Sequence, residues 1–286
     1  MSARVQAFFD PATYTVSYLV SDPASRDAAI VDPVLDFDPK SGRTATHSAD
    51  AILAAAAAGG LRIRWILETH AHADHLSAAQ HLKARSGAPV VIGAAITQVQ
   101  IMFKGVFNDP DMPADGRQFD RLVNDGDKLP LGTLEFEVLH TPGHTPACVT
   151  YRIGNAAFIG DTLFMPDYGT ARADFPGGDA RTLYRSIRRI LALPPETRLF
   201  MCHDYKAPGR DRVAWETTVA EERARNVHIH DGVGEDEFVR LRQARDKTLE
   251  MPTLILPSIQ VNMRAGNWPP PEANGTVYLK LPVNAL

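Results

Sequence analysis

Three histidines and one aspartate fall within six positions of the segment ETHAHADH, as His70, His72, Asp74 and His75. The segment follows IRWILETH (63–70), an apolar run with the pattern of a buried strand. It leads into DHLSAAQHLKARSG (74–87), which reads as a helix with Leu76, Ala79 and Leu82 on its apolar side. A strand that ends in four metal-competent side chains restricts the fold, because those side chains must gather at a sheet edge rather than inside a core. His70 and His72, two apart at the strand end, can reach one point. Asp74 and His75, opening the next helix, can face a second point beside it.

The same event recurs downstream. His140 and His144 follow a strand at 134–139, Asp161 follows AAFIG, and His203 follows RLFMC. Strand ends on one edge of a sheet meet in space, and loops there carry chemistry. The other histidines, His47, His81, His228 and His230, read as surface or supporting groups, and His140 as a structural residue of its turn. Along the chain, YTVSYLV (14–20) and AAIVDPV (28–34) read as a hairpin, with a turn-rich loop at 37–50. Ser48 is the expected cap of a helix that ends at Gly59–Gly60. PVVIG (89–93) is a strand, 97–124 has no clean period and suits a pocket wall, and 127–164 is a run of short strands. Helices are expected at 182–193, 212–226 and 235–248, with a strand at 197–205 and Pro-rich loops after the last helix. Two β-rich halves, each with its own helices, predict an α/β sandwich of two sheets flanked by helices. A single domain over 1–286 is expected, with 233–286 packed on it as an extension.

Composition removes several alternatives. Lys plus Arg is 30 against 34 Asp plus Glu, a formal charge of −4, and no basic block suggests nucleic acid. The two cysteines, Cys148 and Cys202, make no disulfide framework and read as small buried hydrophobes. No phosphate loop, dinucleotide fingerprint or nucleophile elbow is present. No secretory segment or membrane span is read, so a cytoplasmic enzyme is the default expectation.

THAHADH, PGHT, the aspartate of GDTLF and the histidine of CHDY, in that order, resemble the metallo-β-lactamase superfamily over nearly the whole chain. The resemblance implies an αββα sandwich with the metal site at one edge of the paired sheets. DPVL (32–35), GDTLF, GTARADF (169–175), TLYRSI (182–187), HDY (203–205), EER (221–223) and VNMRAG (261–266) are most similar to the persulfide dioxygenases, the ethylmalonic-encephalopathy type. That likeness implies one Fe(2+) per chain on His70, His144 and Asp161, acting with O2 on glutathione persulfide or another low-molecular-weight persulfide to give sulfite and thiol. His72, Asp74, His75 and His203 would then be neighbours of the iron, Tyr205 would meet substrate, and Arg172 with Asp174 would shape the site. Arg264 would meet a glutathione carboxylate, and a homodimer is expected. The same ligand inventory also suits a hydrolase with two zinc ions, of the hydroxyacylglutathione type. There His70, His72 and His144 would hold one ion and Asp74, His75 and His203 the other, with Asp161 bridging.

Overall fold

The computed structural model describes residues 2–285. One six-stranded sheet runs in the order β1 (Arg4–Asp10), β2 (Thr15–Ser21), β3 (Asp27–Val31), β6 (Arg62–Leu67), β8 (Val90–Gly93), β9 (Arg121–Val123). Its first three strands pair antiparallel and the rest parallel. The second sheet runs in sequence order through β10 (Lys128–Leu131), β11 (Leu134–His140), β12 (Val149–Ile153), β13 (Ala156–Phe158), β14 (Arg198–Phe200) and β15 (Glu216–Thr218). Only β13 and β14 are parallel there. A small antiparallel sheet joins β5 (Arg43–Ala45), β4 (Val34–Asp38) and β7 (Leu76–Ser77).

The period-2 alternation of strands explains the layers. Val16, Tyr18, Val20, Ala29 and Val31 point inward and meet Phe136, Val138, Tyr151, Phe158 and Phe200 of the other sheet. The intervening Leu19, Ala28 and Ile30 point outward, onto α1 (His47–Ala58), α2 (Ala79–Ser86) and α3 (Ile96–Val106). On the far side Ala157, Leu199 and Met201 pack on α4 (Ala180–Leu191), α5 (Val219–Arg225) and α6 (Glu235–Asp246). The result is a sandwich of two mixed sheets with helices outside both, as the sequence predicts.

Several element boundaries differ from expectation, each for a local reason. The helix expected at 74–87 begins only at Ala79, because Leu76 and Ser77 pair with Leu35 and Val34 as a strand. The helix expected at 212–226 loses its first half to β15, which pairs with β14, and Thr218 caps what remains. Ser48 does not cap α1; its amide and hydroxyl both donate to Asp36. The unpatterned stretch contains α3, whose buried Gln100 breaks the apolar period yet is bonded to Met263 O and Gly116 N. The expected loop after α6 contains α7 (Ile255–Asn262), with Pro257 in the first turn where a missing N–H costs nothing. Among the described residues no helix is long and apolar enough to cross a membrane.

The two sheets are stitched together at one edge. Val149 N donates to Thr69 O, and Val16 N donates to Cys202 O. Those bonds bring the ends of β6, β12, β2 and β14 to a common place.

Candidate metal centre

His70, His72, Asp74, His75, His144, Asp161 and His203 all arrive at this edge. His70, His144 and Asp161 form one group, while His72, Asp74, His75 and His203 form another, each with donor atoms close enough to surround an ion. Asp161 is shared. One of its oxygens, Oδ2, lies 3.8 Å from His70 Nε2 and 3.6 Å from His144 Nε2, and the other, Oδ1, lies 3.4 Å from His203 Nε2. Cys202 and His203 group with Asp161 as well, so the clusters overlap. The His72 ring stands between the groups, with its centroid 4.0 Å from that of His70 and 4.2 Å from that of His75.

The tautomer of each imidazole follows from what lies behind it. Thr69 Oγ1 donates to Asp32 Oδ2 at 2.9 Å, so it must accept from His70 Nδ1 at 3.0 Å. His72 Nε2 donates to Asp32 Oδ1 at 3.0 Å, and His144 Nδ1 donates to Arg172 O at 2.8 Å. His75 Nδ1 and His203 Nδ1 each lie 3.3 Å from Thr15 Oγ1. With these bonds made, the opposite nitrogens face the centre and offer lone pairs once an ion displaces any proton on them. His70 Nε2, His72 Nδ1, His75 Nε2 and His203 Nε2 are buried without a hydrogen-bond partner, as is Asp161 Oδ1; Asp74 Oδ2 lies 2.9 Å from His203 Nε2 but is not aligned for a hydrogen bond. Five orphaned donor atoms in one place are too expensive to leave unsatisfied, and divalent ions are what would satisfy them. The donor set therefore fits bound metal.

Electrostatics point the same way. Burial pushes the His75 imidazole down to about 4, and burial together with neighbouring imidazoles holds His70 well below the ordinary histidine value. Both rings are neutral, as ligation requires. His203 is raised to about 9, because Asp161 and Asp74 outweigh its burial. Asp32 and Glu68 likewise outweigh the burial of His72 and raise it. Asp74 is well below the carboxylate range, since His203 and His75 offset its burial. These carboxylates create a field that favours positive charge at the point the lone pairs face.

The expectation of one Fe(2+) per chain is corrected by this geometry. Two overlapping ligand groups bridged through Asp161 match a dinuclear centre, whereas a single ion on His70, His144 and Asp161 would leave His75 Nε2 and His203 Nε2 orphaned.

The remaining expected residues divide. Tyr205 donates to Asp74 Oδ2 at 3.1 Å and stacks on His203, with ring planes 15° apart. Arg172 forks onto Asp174 at 2.6 and 2.9 Å and donates to Glu250 O at 2.7 Å, which fixes the loop whose carbonyl holds His144. Arg264 is elsewhere: it is buried, pairs with Asp109 and donates to Gln260 O, and does not line the cavity beside the centre. His140 holds its own turn by donating to Pro146 O at 2.9 Å. His228 is buried, accepting from Thr170 N. Sequence reasoning missed Asp32, Thr15, Thr69 and Glu68. Asp32 is marked only in the fold, where it stands at φ +48°, a conformation that non-glycine residues seldom adopt without cause. A cavity of about 490 Å³ opens on Asp74, His144 and Asp161 and is walled by Phe164, Tyr168 and Tyr205.

Residues 10–203 match the model of the metallo-beta-lactamase superfamily. The chain is 59% identical to a probable metallo-hydrolase of Burkholderia pseudomallei over 99% of both chains. It is 46% identical to Glyoxylase B2 of Dictyostelium discoideum, covering 99% of this chain and 98% of that one. To the human mitochondrial persulfide dioxygenase ETHE1 it is 31% identical, covering 92% and 88%. With the HxHxDH loop, the shared aspartate and the two-sheet frame in place, the chain belongs to the metallo-beta-lactamase superfamily.

Proposed function

We propose that the protein is a dinuclear metal-dependent hydrolase acting on a thioester of a small thiol carrier such as glutathione, with zinc as the metal. The observation that carries this reading is the pair of ligand groups sharing Asp161, with five inward-facing donor atoms left without partners. The relatives named as a metallo-hydrolase and as Glyoxylase B2 support it, at higher identity than the persulfide dioxygenase. When bound, two divalent ions supply Lewis acidity at a carbonyl oxygen and lower the pKa of water so that a nucleophile exists at neutral pH.

The chain's own residues do the rest. Asp161 holds the two groups at a fixed separation by facing one oxygen to each. Asp32, Thr69, Thr15 and the Arg172 carbonyl keep the imidazoles in the ligating tautomer. Tyr205 fixes Asp74 at the cavity wall by donating to Oδ2, and the aromatic walls exclude bulk water from the reacting carbonyl. Arg245 lines the cavity and, among the described residues, has no ion-pair partner, which suits a substrate that carries a carboxylate.

The test is hydrolysis of S-lactoylglutathione by zinc-loaded protein, followed through loss of the thioester absorbance. Turnover is expected, and Asp161→Asn, which removes a charge shared by both groups, is expected to lower kcat by about 100-fold or more, the scale of losing a preorganised electrostatic group. Absence of thioester hydrolysis by fully loaded protein, with O2 consumed and sulfite released from glutathione persulfide instead, overturns the proposal.

A further inference from the structure

The ligand loop from His70 to His75 is irregular, so its backbone carbonyls lack the partners a strand or helix would supply. Two of them find a partner far away in sequence. Asn262, the last residue of α7, is buried and donates through Nδ2 to His72 O at 2.8 Å and to His75 O at 2.7 Å. Its Oδ1 accepts from Ser77 N at 2.8 Å. Both amide hydrogens and the carbonyl oxygen are thus spent on one six-residue stretch, and the two facing carbonyls fix which way the amide points.

The turn that carries Asn262 is itself docked on the same region. Gln80 Nε2 donates to Ala265 O at 2.7 Å and Gln100 Nε2 to Met263 O at 2.9 Å. Gly266, at φ +81°, lies so close that a Cβ would come within 3.1 Å of Ser77 O. Asn262 and its turn lie beyond residue 203, where the superfamily match ends. The match therefore contains every ligand but not the part that clamps them.

We propose that Asn262 is a positioning residue of the metal centre, locking the backbone of His72 and His75 so that their free nitrogens converge with the Asp74 carboxylate and His203 Nε2. The inference rests on the two-ion reading of the centre and not on the identity of the substrate. An aspartate at this position keeps the shape and the bond from Ser77 N, but turns an acceptor on two carbonyls. Alanine removes all three bonds.

The experiment uses the full chain, stripped of metal and titrated with zinc against a competing chelator. Wild type, Asn262→Ala, Asn262→Asp and the control Gln260→Ala are compared. Gln260 bonds Leu256 O and the Lys280 backbone and not the ligand loop, so its loss loosens the C-terminal region without touching the centre. Both Asn262 variants are expected to bind at least one of the two ions about 10- to 100-fold more weakly, the usual effect of losing a group that orients ligands. The visible bands of their cobalt-substituted forms should shift, and Gln260→Ala should match wild type on both counts. If Asn262→Ala fails to fold, Asn262→Asp, which keeps the shape, carries the test. Zinc affinities within twofold of wild type and superimposable cobalt spectra would overturn the proposal. A wild type that binds only one ion would instead overturn the two-ion reading.

Discussion

Asp32 is the residue on which most of the centre's second layer converges. Its oxygens take Thr69 N at 2.7 Å, Thr69 Oγ1 and His72 Nε2, and through Thr69 it also sets the tautomer of His70. One buried carboxylate thereby orients two imidazoles, and its left-handed backbone is the cost of reaching both. Arg264 shows the opposite case, an arginine whose chemistry suits a substrate carboxylate but whose surroundings assign it to structure. Its guanidinium is buried against Asp109, whose side chain keeps 21% of its exposure. Replacing it with glutamine leaves that carboxylate without its cation. Arg264→Gln is expected to cost about 3 kcal/mol of unfolding free energy, at the low end for a broken buried pair because Asp109 retains some solvent. KM for the thioester should stay as in wild type. Denaturant unfolding and steady-state kinetics on one preparation check both, and a raised KM at undiminished stability would return Arg264 to the substrate.

At the scale of elements, α5 carries a titration that shapes stability. Glu222 is fully buried, with Oε2 accepting from Asn226 at 2.6 Å and Oε1 without a partner. Burial raises its carboxyl to about 8, with Asp167 and Glu221 adding to the rise against the bond from Asn226. The folded chain thus keeps a proton that the unfolded chain releases near the ordinary glutamate value of 4.5, so stability falls as pH climbs from there to about 8 and is flat above. Glu222→Gln cannot ionise and should escape this loss. Its Tm is expected to exceed that of wild type at pH 9 by several degrees and to match it near pH 5. An equal difference at both pH values would show that Glu222 is not protonated in the fold. Legibility also varied by element. α4 could be read directly because its apolar residues, Leu183, Ile187 and Ile190, keep a helical period and Asp179 caps it. α2 and α7 could not, because tertiary pairing decides where they begin and end. β7 takes Leu76–Ser77 from one, and the ligand loop's need for a partner gives the other its final residue.

For the whole molecule, the order of strands and helices was written locally and the packing of two sheets followed from alternation. Leu19 faces out where Tyr18 and Val20 face in, so each strand buries both faces and needs helices on the outside. The residues gathered at the candidate centre were equally legible, since His70, His144, Asp161 and His203 each follow a strand within four residues, and His72, Asp74 and His75 lie in the loop that leaves β6. The number of ions was not. It depends on where the two oxygens of Asp161 point and on which imidazole nitrogen is held from behind, and both are set by contacts across the sheet edge between residues as distant as Thr15 and His203. Arg264 failed for a related reason: a sequence shows a cation but not the carboxylate waiting for it.

The proposed centre has two ions sharing one aspartate, so the most direct measurement is the metal-to-chain ratio of zinc-reconstituted protein by plasma mass spectrometry, compared with His144→Ala and His203→Ala. Two ions per chain are expected in wild type and a ratio near one in each variant, since each variant strips a ligand from a different group. One ion per chain at saturating zinc, unchanged by His203→Ala, would contradict that centre.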